Sequence, residues 1–207
     1  MISEAVIENG AAKIEAGTWL VGRAQPVAFF GTAKLSGLKG FIVPDRASMR
    51  VATTTATAWC ADAEKPFLTR LSALPDDSAL NIASAKLLVA PVAARVGARC
   101  LRLVPFSLGR ATAITRFQQG WVVLATRSRV TRVVLEEDAS LTVRPEALVA
   151  WVGKDPTGFC PSLSMLDLLL PRGPRNLAFS FHGPAVVWFE GGVEQTLKRR
   201  MPNGLFA

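Results

Sequence analysis

Histidine occurs once in this chain of 207 residues, at His182, and the three cysteines, Cys60, Cys100 and Cys160, are far apart and form no CxxC pair. A structural zinc site needs three or four converging nitrogen or sulfur ligands, and a cupin-type centre needs several His and Glu. No metal site is therefore expected. An odd, sparse cysteine set is not a disulfide framework, so the three read as small buried hydrophobes. The chain has no Walker A loop, no G-x-G-x-x-G between a strand and a helix, and no G-x-S-x-G elbow. A Ser–His–Asp or Cys–His pairing through His182 would need a convergence that the sequence does not signal. Glu136-Glu137-Asp138 reads as a solvated turn and not as an acid/base pair. No catalytic residue and no cofactor is assigned, and an enzyme is not expected.

Long apolar runs are also missing: no window approaches the roughly eighteen residues of a membrane span. Met1 to Gly17 carries Glu4, Glu8 and Glu15, with no basic segment leading into an apolar one. That pattern fits neither a secretory signal nor a mitochondrial transit peptide, and a cytoplasmic location is expected.

Half the residues are hydrophobic, enough for a substantial core, and strand signals dominate their arrangement. Trp121–Ala125, Val130–Leu135, Leu141–Arg144 and Leu148–Val152 are short runs rich in β-branched and aromatic residues, separated by turn-like acids and by Pro145-Glu146. Residues 19–60 read similarly, broken by Gly31, Gly37, Gly40 and Pro44. Two segments read as short helices. Ser162 caps the run Leu163–Leu170, which follows Pro161 and stops at Pro171; residues 78–86 form the second. The fold class expected is all-β with one or two short helices.

An internal repeat adds detail. Leu87–Gly97 resembles Leu141–Gly153, in phase at Pro91 and Pro145, and each is followed by a strand–glycine–strand unit. The glycines are Gly109 and Gly183, with a fainter copy at Gly31; each is expected to mark a tight turn or a position closed to a Cβ. The expected organisation is one compact unit over 1–207: a divergent part to residue 86, two clearer repeats over 87–190, and a basic tail over 191–207.

The stretch Val133–Gly153, followed by Asn176–Phe189 with Phe181-His182-Gly183-Pro184-Ala185-Val186-Val187-Trp188, resembles the AIM-type family (altered inheritance of mitochondria). Ala185 stands where that family usually has a second glycine. The resemblance implies a TRAP-like fold of tandem double-stranded β-helix or β-sandwich units, and a symmetric homo-oligomer. It carries no catalytic residues.

The formal charge of +8 is unevenly distributed. Residues 95–144 hold nine arginines against Glu136, Glu137 and Asp138, an excess of +6, while the flanking parts are at +1 each. Arginine suits bidentate phosphate contacts. Arg127 and Arg129 are expected on one face of an extended strand, with Arg132 on the opposite parity, and together they form the candidate polyanion contact for RNA or an anionic membrane surface. A solvated basic surface is the competing reading. In the apolar helix Leu163–Leu170, Met165, Leu166, Leu169 and Leu170 are expected at a subunit interface or a core edge. Lys198-Arg199-Arg200 reads as a basic end.

Overall fold

A computed structural model describes residues 5–22, 26–37, 50–72, 78–102, 111–159 and 178–191. Strands dominate these residues, and their only helical segments are two 3-10 turns, Ser84–Lys86 and Val92–Ala94. The fold is an all-β sandwich, in line with the short β-branched runs of the sequence. After β1 (Val6–Glu8), a first group comprises β2 (Ala11–Ile14), β3 (Gly17–Val21), β4 (Pro26–Phe29), β5 (Ala33–Gly37), β6 (Arg50–Thr54) and β7 (Ala58–Cys60). A second comprises β8 (Phe67–Ser72), β9 (Leu80–Ala83), β10 (Leu87–Pro91), β11 (Arg95–Arg102), β12 (Ala111–Phe117) and β13 (Trp121–Thr126). A third comprises β14 (Val130–Leu135), β15 (Ser140–Val143), β16 (Leu148–Gly153), β17 (Thr157–Phe159), β18 (Ala178–His182) and β19 (Ala185–Glu190).

The three groups follow one pairing scheme, always antiparallel. The sixth strand pairs with the first and third: β7 with β2 and β4, β13 with β8 and β10, β19 with β14 and β16. The fifth pairs with the second and fourth: β6 with β3 and β5, β12 with β9 and β11, β18 with β15 and β17. Groups are joined through one further ladder, in which the third strand of one group lies beside the second strand of the group before it: β10 beside β3, and β16 beside β9. In each group the third strand also shifts register against the sixth, at Pro26/Ala28, Leu87/Val89 and Leu148/Ala150. Such bulges increase local twist and re-aim the side chains that follow.

Four sheets result: sheet I is β1-β2-β7-β4, sheet II is β5-β6-β3-β10-β13-β8, sheet III is β11-β12-β9-β16-β19-β14, and sheet IV is β15-β18-β17. One apolar cluster joins sheets I and II through Ile14, Trp19, Cys60, Val89, Trp121 and Val123. Another joins II and III through Leu20, Ile82, Leu124, Phe117 and Ala150. A last one joins III and IV through Leu148, Trp151, Leu141, Val143, Phe179 and Phe181. The central strands β10 and β13 are buried at every position, as are the first five residues of β16. A strand covered on both faces reads as a continuous apolar run, which is how these segments appear in the sequence.

Two sequence-based expectations are corrected. Residues 78–86 are not a helix: Leu80–Ala83 is β9, buried at all four positions between β12 and β16, and only Ser84–Lys86 turns. Lateral pairing and burial on both faces override the helical propensity of Ala and Leu there. The repeat is also out of phase with the pairing. Pro91 ends β10, a third strand, whereas Pro145 lies in the turn after β15, a second strand. Gly31 sits between third and fourth strands and Gly183 between fifth and sixth, so they are not equivalent; Gly109 lies outside the described residues.

Candidate functional site

The turn from β13 to β14 carries two of the three arginines singled out by the sequence. Arg127 and Arg129 are exposed and lie in that turn, not in a strand; Arg132 is exposed on β14, opposite Trp188. The turn is held at its backbone. Gly191 N–H donates to the Arg129 carbonyl at 2.7 Å, and Thr126 Oγ1 donates to the Ser128 carbonyl at 2.7 Å. The Arg127 N–H points to Glu190 Oε1 at 3.4 Å, and that carboxylate also takes the Lys86 ammonium. Lys86 is thereby neutralised. None of Arg127, Arg129 and Arg132 forms an ion pair among the described residues, so three guanidiniums stand at one margin of sheet III, where β14 is the edge strand.

Other arginines of the basic segment are committed elsewhere. Arg99 on β11 makes a two-pronged ion pair with Asp155, and its Nη2 donates to Asn81 Oδ1 at 3.1 Å. Asn81 is buried and donates in turn to the carbonyls of Ala79 at 3.2 Å and Trp151 at 3.4 Å. This network is structural, because it satisfies a polar side chain inside sheet III. Arg95 is half-buried, and desolvation lowers the pKa of its guanidinium. The +6 excess of the segment therefore overstates the charge offered to a partner.

Cys60 and His182 are not brought together, and Cys160 lies outside the described residues. His182 ends β18, exposed, with Nε2 at 3.5 Å from Ser180 Oγ, the outer limit of a hydrogen bond. Cys60 is buried in β7 of sheet I, and burial pushes its thiol pKa up to about 11, which leaves almost no thiolate at neutral pH. His182 belongs to sheet IV. Among the described residues no three His, Cys, Asp or Glu side chains cluster as metal ligands would. Met165, Leu166, Leu169 and Leu170 of the expected interface helix lie outside the described residues, as do Lys198-Arg199-Arg200.

Sequence reasoning missed the two strands that lack a lateral neighbour where the scheme provides one. β4 is a third strand with no second strand of another group beside it, and β15 is a second strand with no third strand of another group beside it, among the described residues. Among the described residues each is hydrogen-bonded on one side only. Beside β4 the surface is aromatic: Phe29 and Phe30 are 52% and 68% exposed, and Phe30 meets Trp59 edge-on at 5.7 Å between ring centroids. Large apolar side chains this exposed at a strand edge mark a surface available for association. The signal in the sequence was Val27-Ala28-Phe29-Phe30, which reads as an ordinary buried strand until its place in the sheet is known.

The described residues include no helix long and apolar enough to cross a membrane. No protein-family model matches the chain, and no curated protein matches it in sequence. Among solved structures the chain is similar to a Streptococcus pyogenes protein, at a TM-score of 0.66 and 13% identity over 96% of this chain and 99% of that one. At that identity the likeness shows the fold alone.

Proposed function

We propose that this chain is a non-catalytic, self-associating β-scaffold of the AIM-type, TRAP-like kind, acting in the cytoplasm as a homo-oligomer. The observation that carries the reading is the pair of unfilled strand positions at β4 and β15, together with the exposed Phe29 and Phe30. A strand edge of this kind is ordinarily blunted by charge, proline or a covering loop. Pro26 blunts only the start of β4, and Phe29, at its last position, is apolar and exposed. The recurrence of one pairing scheme in three six-strand groups supports descent from a repeated unit, with residues diverged and connectivity kept.

Light scattering on the full chain, coupled to size exclusion across a wide concentration series, tests the scaffold. The expected mass is a whole-number multiple, two or more, of 22.2 kDa. A 22.2 kDa species throughout the series overturns it.

A second reading rests on its own observation: Arg127, Arg129 and Arg132 are exposed within six residues, unpaired among the described residues, on an edge strand and the turn that enters it. It assigns them to the backbone phosphates of an RNA. Binding of a single-stranded RNA is expected to weaken with salt, and the triple replacement by Ser should flatten the log–log slope by about 2, at roughly 0.7 for each phosphate no longer neutralised. An unchanged slope, or no binding by the native chain at low salt, removes RNA. Binding to anionic vesicles in place of RNA moves the same arginines to a membrane surface.

A further inference from the structure

We infer that β4 of one copy of this chain pairs antiparallel with β15 of a second copy, completing between molecules the ladder that the chain forms twice within itself. This rests on the scaffold reading and names its interface. The internal ladders supply the template. Val89 of β10 pairs with Val21 of β3, and Ala90 with Leu20; Ala150 of β16 pairs with Ile82 of β9, and Trp151 with Asn81. Val89 and Ala150 are each the first paired residue after the bulge, as Ala28 is in β4. In all three groups that residue lies seven positions beyond its counterpart on the second strand: Ala28 and Val21 (28 − 21), Val89 and Ile82 (89 − 82), Ala150 and Val143 (150 − 143). The same register therefore sets Ala28 opposite Val143, and Phe29 opposite Thr142.

Burial differs between the filled and the unfilled ladders at three of the four places. Val89, Ala90, Ala150 and Trp151 are all 0% exposed, and on the partner strands Leu20 and Asn81 are buried as well. Their equivalents at the open edges are Ala28 and Phe29 on β4 and Thr142 and Val143 on β15; the first three are exposed, while Val143 is already buried in the cluster between sheets III and IV. Sheets I and IV share no ladder and no apolar cluster among the described residues, so the chain does not bring its own two edges together there. A second copy supplies the complement: each molecule carries one edge of each kind, and the joined sheet would run β17-β18-β15 and then β4-β7-β2 of the neighbour. Those six strands repeat the order of sheets II and III, and β1, paired with β2, adds a seventh. Because the two surfaces differ, the contact is head-to-tail, and every copy uses both edges.

Cross-linking of the full chain tests the register. Phe29→Cys is prepared as one protein and Thr142→Cys as another, and the two are mixed and oxidised. Directly opposed strand residues have Cα atoms within disulfide reach. The expected result is a cross-linked dimer that exceeds the background given by either variant alone and by the unsubstituted chain. Phe29→Lys with Thr142→Lys should in addition reduce the native mass to 22.2 kDa while leaving circular dichroism unchanged. An oligomer that gives no cross-link in the mixture overturns this interface and leaves the scaffold reading standing. A double Cys variant that links only within itself overturns it in favour of closure inside one chain. A native monomer sinks both.

Discussion

Replacing Gly183 by alanine is expected to remove the folded state altogether, as an insoluble product or as a loss of more than about 4 kcal/mol in denaturant unfolding. A Cβ at this position would lie 1.6 Å from the Glu136 carbonyl oxygen, 2.4 Å from its carbon and 3.0 Å from the Leu135 oxygen. These are backbone atoms at the end of β14 and the turn after it, so no rotamer change relieves the overlap. The Gly183 N–H also donates to the Ala139 carbonyl at 3.0 Å, which holds the β18–β19 turn against that same segment. Moving the backbone away would break this bond and strip β19 from β14. Two other glycines calibrate the result. Gly10 has φ near 76° with nothing within 4 Å of an added Cβ, so Gly10→Ala carries backbone strain alone, on the order of 1 kcal/mol. Gly97 has open space and no unusual φ, and Gly97→Ala within β11 should be neutral or stabilising by up to about 1 kcal/mol. Equal effects at the three positions would show that crowding at Gly183 is not what selects glycine there.

Trp151→Ala should cost about 3–5 kcal/mol, and Trp151→Phe far less. The Trp151 side chain is fully buried in the cluster between sheets III and IV and meets Phe181 edge-on at 5.8 Å. Truncation opens a cavity lined by strands of two sheets, each held by its own ladders, so collapse around the gap is limited. Phenylalanine keeps an aromatic ring in that cluster and removes the indole N–H, which is buried with no hydrogen-bond partner among the described residues. A buried donor left unsatisfied costs about 1–3 kcal/mol, so its removal offsets part of the missing volume. Urea unfolding at one fixed protein concentration separates the variants, since association contributes to apparent stability. A Phe variant as unstable as the Ala variant would mean that the indole nitrogen does have a partner in solution.

Strand existence was legible in the sequence in short apolar and β-branched runs, both where burial covers two faces, as in β13 and β16, and where exposed and buried positions alternate, as in β15. Val130–Leu135 is β14 as expected, and Trp121–Ala125, Leu141–Arg144 and Leu148–Val152 fall within a residue of β13, β15 and β16. Residues 78–86 look helical because the run Ala79-Leu80-Asn81-Ile82-Ala83 has good helix formers, and nothing local announces the two strands that flank it. The phase of the repeat was hidden for a related reason. Leu20, Asn81 and Thr142 occupy one place in the pairing scheme and share no chemistry. What recurs is which strand lies beside which, a property carried by spacing and bulge position. The exposed arginines were visible as residues, but their setting in a turn, and the commitment of Arg99 to Asp155 and Asn81, depend on neighbours 56 and 18 positions away.

The ladder between groups also orders events during synthesis. β3 meets β6 of its own group once residue 54 has been made, yet its other side is filled only by β10, where Val21 pairs with Val89, 68 residues later in the chain (89 − 21). While the ribosome adds the intervening segment, the nascent first group carries an open second-strand margin like the one β15 keeps in the finished molecule. Pairings this distant in sequence form slowly and leave apolar margins unprotected meanwhile. A neighbouring nascent copy therefore competes with the chain's own β10 for β3. Conditions that slow elongation should favour mispaired chains over correctly ordered ones.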